Sequence, residues 1–320
     1  MGHQGSASLI SLEDGRSYFV KRARPAEHSG GRNLVAVETL VTPLMHGLAP
    51  AVILTDEAAG LFILDGVQGE QVSTTGTDLD LSIECATRLG TLLAEVHLRV
   101  KTENSTGLPL LSSPVPRPDR VTPSTFAEGP GWDYPEFLSF LQSNDLPAAF
   151  RSLAESWDPS DLIHGDVRGD NVLRLSEGSL LFVDWELAGL GDRRWDLGSL
   201  LGMYLFAWLG SIRAQDEGEV EDWLRAASVP LESVAPGARA CAASYSAAMP
   251  TPACGWDGYV SASFRYAGIF LIQRAAASLE SGGLLTQSAW CCLYAARRLL
   301  TEPERGGQLL WGEDLPWPSR

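Results

Sequence analysis

Apolar residues recur every three or four positions at Leu79, Ile83, Ala86, Leu89, Leu93 and Val96, and this spacing predicts a long amphipathic helix over Leu79 to Val100. Earlier in the chain the apolar runs are short. Leu9 to Leu12 and Tyr18 to Lys21 flank the turn Glu13-Asp14-Gly15-Arg16 and read as a β-hairpin, and Ala51 to Leu54 with Leu61 to Leu64 form a second pair around Asp56 to Gly60. Between them Asn33 to Val41 predicts a helix, preceded by Pro25 and Gly30-Gly31 and followed by Pro43. A third apolar pair, Leu173 to Leu175 and Leu180 to Val183, is split by the turn composition Ser176-Glu177-Gly178. Trp132 to Phe140 and Pro147 to Trp157 predict helices ahead of it. Behind it, Leu197 to Trp208, Gly237 to Ala248, Tyr259 to Leu279 and Thr286 to Leu300 predict an Ala-rich helical remainder. Thr102 to Gly131, rich in Pro, Ser and Gly, reads as an exposed irregular excursion. No repeat and no linker of independent-domain length divides the chain, so sheet-rich beginning and helical remainder form one α+β unit.

Composition narrows what such a unit can do. With 320 residues, 45% of them hydrophobic, the chain buries a substantial core. A formal net charge of −16 disfavours nucleic acid and anionic membrane as partners and suits either a cationic substrate or plain solubility. Cys85, Cys241, Cys254, Cys291 and Cys292 show no CxxC pairing and sit mostly in apolar helical surroundings, which argues against a zinc site or a disulfide framework. No basic-then-apolar leader opens the chain, and Leu200 to Ile212, its most apolar run, is too short to span a membrane. The expectation is a cytoplasmic protein.

Chemistry concentrates in residues 161 to 198, DLIHGDVRGDNVLRLSEGSLLFVDWELAGLGDRRWDLG. Taken singly, His164-Gly165-Asp166 is ordinary turn chemistry and Asp184 merely ends a strand. Taken together, an acid at Asp166, an amide oxygen at Asn171 and a carboxylate leaving an apolar strand at Asp184 follow the base, metal-ligand, metal-ligand order of phosphoryl transfer. A hydroxyl nucleophile needs an acceptor for its proton, and nucleotide phosphates need Mg²⁺ held by hard oxygen ligands.

HGDVRGDNV followed by LLFVDWE resembles the catalytic-loop and metal-binding motifs of the aminoglycoside phosphotransferase and choline-kinase-like family. The resemblance takes in the first hairpin, Lys21, Glu38, the helix ending in His97 and the central motifs, and fades after Ile212. It implies a bilobal, protein-kinase-like α+β fold. Residues 1–66 would be an antiparallel-sheet lobe on the nucleotide side and 67–320 a helical lobe with the catalytic and metal loops, with ATP and Mg²⁺ in the cleft. By the same resemblance Asp166 orients or deprotonates a hydroxyl acceptor, Asn171 and Asp184 hold Mg²⁺, Lys21 holds phosphates and Glu38 positions Lys21. Leu64-Asp65-Gly66-Val67 falls where backbone groups would meet adenine, which makes Asp65 and Val67 nucleotide-binding positions. Asp196 matches the family's aspartate that braces the catalytic loop, and His97 reads as a satisfied packing histidine.

Arg168 reads in two ways, as a cation for the γ-phosphate or as a surface partner of Asp170. Trp185-Glu186 stands where protein kinases carry Phe-Gly, the small-molecule pattern, and argues against regulation by flipping of that segment. At the other end, Gly2, Gly5 and Ser6 to Ser8 have the composition of a loop whose amides approach phosphate. Only four residues precede Gly5, which predicts an incomplete phosphate cover, an open sheet edge near Leu9 to Leu12 and a partner protein docked on the small lobe. For the acceptor, Arg168 and the aromatic run Tyr204 to Trp208 resemble kinase subunits that phosphorylate Ser/Thr of precursor peptides in lanthipeptide-type biosynthesis, and the reading leans that way. The acidic balance suits an aminoglycoside or similar cationic metabolite instead, and a non-catalytic scaffold is the third reading.

Overall fold

Alternation of apolar and polar side chains shapes the first lobe of the computed structural model, which describes residues 5–23, 34–56, 59–73, 78–100, 107–117, 133–143, 145–213 and 218–311. β1 (Gly5–Ser11), β2 (Ser17–Ala23), α1 (Leu34–Val41), β3 (Val52–Asp56) and β4 (Leu61–Asp65) build an antiparallel sheet in the order β1-β2-β4-β3 with one helix. Phe19 lies opposite Leu64 and Lys21 opposite Phe62, so these four residues share a face. Phe62 and Leu64 are buried there with Phe19 and Val52 against them, a small core of their own. β1 is an edge strand, and Leu9 is 60% exposed.

One expectation about this lobe changes. Gly5 to Ser8 form no phosphate loop: each residue has a partner on β2, from Gly5 opposite Ala23 to Ser8 opposite Val20. Gly2 and Asn33 lie outside the described residues.

The chain leaves the first sheet at Asp65 and enters a second at β5 (Gly69–Gln71). α2 (Ile83–Arg99) follows; it begins four residues later than the periodicity predicts because the Ser82 hydroxyl accepts the Cys85 amide at 3.2 Å and caps it. After α3 (Tyr134–Leu141), α4 (Leu146–Glu155) and β6 (Asp161–Ile163) come β7 (Val172–Leu175) and β8 (Leu180–Phe182), which complete the second sheet in the order β5-β7-β8. β6 pairs with β9 (Gly189–Gly191). Asp192 then accepts the Arg194 amide and starts α5 (Arg193–Leu209) well ahead of the expected Leu197.

α6 (Val220–Arg225), α7 (Leu231–Ala248), α8 (Gly255–Gly282), α9 (Gln287–Thr301) and α10 (Pro303–Trp311) finish the chain. α7 runs through Pro236, where the sequence suggested a start just after it; burial of Val234, Ala238 and Cys241 outweighs the one lost donor. α8 packs against α5 and α9, and α2 against α7, around one large core. The run from Tyr204 lies partly inside it: Tyr204 is 0% and Leu205 2% exposed, while Phe206 and Trp208 are half-buried and pack against it. Part of the 102–131 excursion is likewise anchored, with Leu111 and Val115 buried and the Leu111 amide on the Leu190 carbonyl at 2.8 Å; 101–106 and 118–132 lie outside the described residues. Four of the cysteines are buried and Cys254 is exposed, all as free thiols. Among the described residues no helix is long and apolar enough to cross a membrane.

Candidate active site

A single ammonium group ties the two lobes together. Lys21, carried to the end of β2, donates to Glu38 Oε1 on α1 at 2.7 Å and to Asp184 Oδ1 just after β8. Burial alone would pull the Lys21 pKa down, but Glu38 and Asp184 outweigh it and hold it above the ordinary lysine value. Burial pushes the Glu38 carboxyl up and Lys21 only partly offsets this; at Asp184 Lys21 wins, and the carboxyl is held low.

Below Lys21 the loop between β6 and β7 is fixed by buried polar groups. Asp196 in the first turn of α5, 0% exposed, accepts the His164 amide at 2.7 Å and the Gly165 amide at 3.0 Å, and its Oδ2 lies 3.3 Å from His97 Nε2. The other nitrogen of His97 meets Tyr245 Oη at 2.9 Å, so His97 is a satisfied packing group. His164 is fully buried between Phe182 and Trp185. Its Nε2 faces the Val183 carbonyl at 3.0 Å and its Nδ1 the Asp166 amide at 3.3 Å, which makes Nε2 the protonated nitrogen. Gly165 has φ 82°, and a Cβ there would meet the Leu187 carbonyl oxygen at 2.4 Å.

The predicted acid and amide are thereby brought face to face. Asn171 Nδ2 donates to the carbonyl and to Oδ2 of Asp166, both at 2.9 Å, which turns the amide oxygen of Asn171 away and leaves it free for a cation. The Val183 amide donates to the Asn171 carbonyl at 2.9 Å and sets Asp184 beside this loop. Asp184 is the one non-glycine residue with positive φ among those described, at φ 67° and ψ 59°.

Arg168 Nε lies 3.4 Å from Asp166 Oδ2 and 3.1 Å from Asp170 Oδ1, within ion-pair range yet without an aligned hydrogen bond. The segment after β4 is pinned to β2: the Gly66 amide donates to the Ser17 carbonyl and the Ser17 hydroxyl to the Gly66 carbonyl, at 2.8 and 2.7 Å. The Val67 amide is turned back on the Asp65 carbonyl at 2.9 Å. Asp65 and Val67 thus sit at the crossing between lobes, with much of the local backbone bonded internally. Ser17 was not singled out from the sequence; its partner Gly66 is 49 residues away, and no spacing marks it.

The residues present fit a divalent cation. Asp184 and Asn171 offer hard oxygens, and the carboxylates of Asp184, Glu38, Asp166 and Glu186 act on one another. Burial, and after it the charge of Asp184, pushes the Glu186 carboxyl up to about 7. Among the described residues no group of three or more His, Cys, Asp or Glu is placed to hold a metal ion.

Comparison with known proteins bears on the family and the fold. No curated protein matches the sequence. Similar solved structures include the macrolide 2′-phosphotransferase MphH of Brachybacterium faecium, 17% identical with TM-score 0.52 over 95% of this chain and 91% of that one. The choline kinase LicA of Streptococcus pneumoniae is 15% identical with TM-score 0.54, over 94% of this chain and 90% of its own. The amicoumacin kinase hAmiN, solved with AMP-PNP, Ca²⁺ and Ami, is 14% identical with TM-score 0.56, over 100% and 89%. These likenesses establish the kinase-like, bilobal α+β fold. The model of the APH phosphotransferase enzyme family matches residues 2–241, three quarters of the sequence, and the chain is therefore a phosphotransferase belonging to that family.

Proposed function

We propose that the chain transfers the γ-phosphoryl group of Mg·ATP to a hydroxyl of a small molecule. The observation that carries this is the contact of Lys21 with both Glu38 and Asp184, made directly above the Asp166–Asn171 pair. In this reading Asn171 and Asp184 hold Mg²⁺, which neutralises phosphate charge when bound; Lys21 takes the phosphates and Glu38 positions it. Asp166 faces the acceptor hydroxyl and accepts its proton as the new P–O bond forms and the bond to ADP breaks; the proton then passes to solvent. Arg168 turns toward the γ-phosphate. Asp65 and Val67 border the base. A cytoplasmic setting, where ATP is abundant, belongs to the same proposal, and the free thiols support it.

A Ser/Thr hydroxyl of a precursor peptide keeps Arg168 and the half-buried Phe206 and Trp208 in its support, while Tyr204 is core. A partner protein on the small lobe has the open edge of β1 in its favour; a chain that is monomeric and fully active alone would remove it. Asp166→Ala tests the main proposal. Turnover of any accepted hydroxyl compound should fall at least about a hundredfold with little change in ATP affinity. Loss of ATP binding instead would mean that Asp166 has been given the wrong role.

A further inference from the structure

Four helices contribute to a line of buried polar groups behind the catalytic loop. Tyr259 on α8 has its Oη 3.2 Å from Tyr245 Oη on α7. Tyr245 Oη is in turn 2.9 Å from His97 Nδ1 on α2, and His97 Nε2 is 3.3 Å from Asp196 Oδ2 on α5. Tyr245 and Asp196 are 0% exposed and His97 3%, so none of the three can turn to water for a partner. The rings hold the line in shape as well. Tyr245 meets His97 edge-on with centroids 5.6 Å apart, stacks on Tyr259 and crosses Trp256 at 84°.

The direction of each proton follows from the end of the line. Asp196 already accepts the His164 and Gly165 amides, and a carboxylate offers only lone pairs, so His97 Nε2 carries the proton that faces Oδ2. In the neutral ring this leaves Nδ1 as an acceptor, and the group facing it is the Tyr245 hydroxyl. Burial pushes that hydroxyl well above the ordinary tyrosine range, which keeps its proton in place. With the proton spent on His97, the contact with Tyr259 is filled by the Tyr259 hydroxyl donating. Tyr245 thus selects the His97 tautomer whose N–H meets Asp196. Without the hydroxyl, Nδ1 would be a buried acceptor with no donor, which favours a turned ring or the other tautomer. Either change takes the N–H away from Oδ2, the oxygen that also holds the His164 amide at 2.7 Å.

We infer that Tyr245 is a positioning residue of the active site: its hydroxyl fixes His97, His97 fixes Asp196, and Asp196 sets the loop on which Asp166 stands. The inference rests on the phosphotransferase reading above and extends the site to a helix outside the catalytic motifs.

Three measurements on the full chain test it. Long-range ¹H–¹⁵N spectra of the imidazoles should show His97 as the neutral Nε2–H tautomer in the wild type and as a mixture in Tyr245→Phe. Hydrogen exchange of the His164 and Gly165 amides should become at least about tenfold faster in Tyr245→Phe relative to the amides of α5, whereas loss of a merely packed hydroxyl would speed both sets alike. Hydrolysis of Mg·ATP, with water standing in for the acceptor, should fall about five- to twentyfold in kcat while the KM for Mg·ATP stays within about twofold. Tyr259→Phe leaves the Tyr245 proton on His97 and should lose less than Tyr245→Phe. A wild-type His97 that is doubly protonated or carries its proton on Nδ1, a Tyr245→Phe form whose loop and α5 amides speed up alike, or a Tyr259→Phe form slower than Tyr245→Phe overturns the inference. Should Tyr245→Phe fail to fold, His97→Gln decides, since its amide offers Asp196 a donor and Tyr245 an acceptor: hydrolysis no faster than in His97→Leu counts against the positioning role. Absence of both Mg·ATP binding and hydrolysis in the wild type would overturn the phosphotransferase reading itself, whereas wild-type hydrolysis matched in kcat by Tyr245→Phe sinks only the positioning role.

Discussion

Asp184 occupies a left-handed backbone conformation that asparagine and aspartate tolerate better than other side chains. Asp184→Asn should therefore melt close to the wild type, and Asp184→Ala about 1–2 kcal/mol lower. Both should lose Mg²⁺-dependent turnover, since neither supplies the metal's negative ligand; turnover retained by the Asn form at saturating Mg·ATP would refute the metal role. Lys21 carries a different prediction. Glu38 is 2% exposed and its pKa is raised by burial, so its contribution to stability is fully present below the unfolded carboxyl value of about 4.3 and is lost as pH rises through the folded value. Lys21→Met removes the cation that moderates this loss. The variant should match the wild type most closely in acid and fall about 3 kcal/mol below it by pH 8, read from denaturant midpoints at each pH. A gap that narrows with rising pH would show that Lys21 is not what stabilises ionised Glu38.

At the scale of elements, the active loop is a close approach between two turns. Gly165 faces the Leu187 carbonyl in the turn after β8, where both its positive φ and the missing Cβ are needed. Gly165→Ala should cost at least about 2 kcal/mol in thermal unfolding and suppress turnover, because Asp166 follows directly. A variant of wild-type stability and activity would show the approach to be loose. The amphipathic α2 was legible from its apolar period, although the Ser82 cap went unread and its start was placed at Leu79, and Asp166, Asn171 and Asp184 were legible because their order is a motif. β6 and β9, three residues each, are too short to show alternation. His164 sat in the motif, but its role as a strut depends on Val183 and Asp196, 19 and 32 residues away.

Over the whole molecule, apolar burial is uneven. A few residues around Phe62 and Leu64 hold the small sheet together, while one large cluster organises the helical lobe. Lys21 and Glu38 therefore do structural as well as chemical duty, holding a weakly cored lobe against a strongly cored one. Asp196 lies between Trp195 and Leu197 of the large cluster, at 0% exposure, yet its two oxygens serve the amides of a loop. Loops ordinarily open first and exchange their amide hydrogens with solvent quickly. Here the His164 and Gly165 amides cannot be released without exposing a buried carboxylate. Their exchange in D₂O should be as slow as that of mid-helix amides in α5, set by global unfolding, while the Leu12 to Arg16 hairpin turn exchanges orders of magnitude faster. Equal rates in the loop and the hairpin would exclude this. If the slow rates hold, denaturant should extinguish the catalytic loop and the helical core in a single transition, and this chain could not keep its fold while its centre of chemistry breathes.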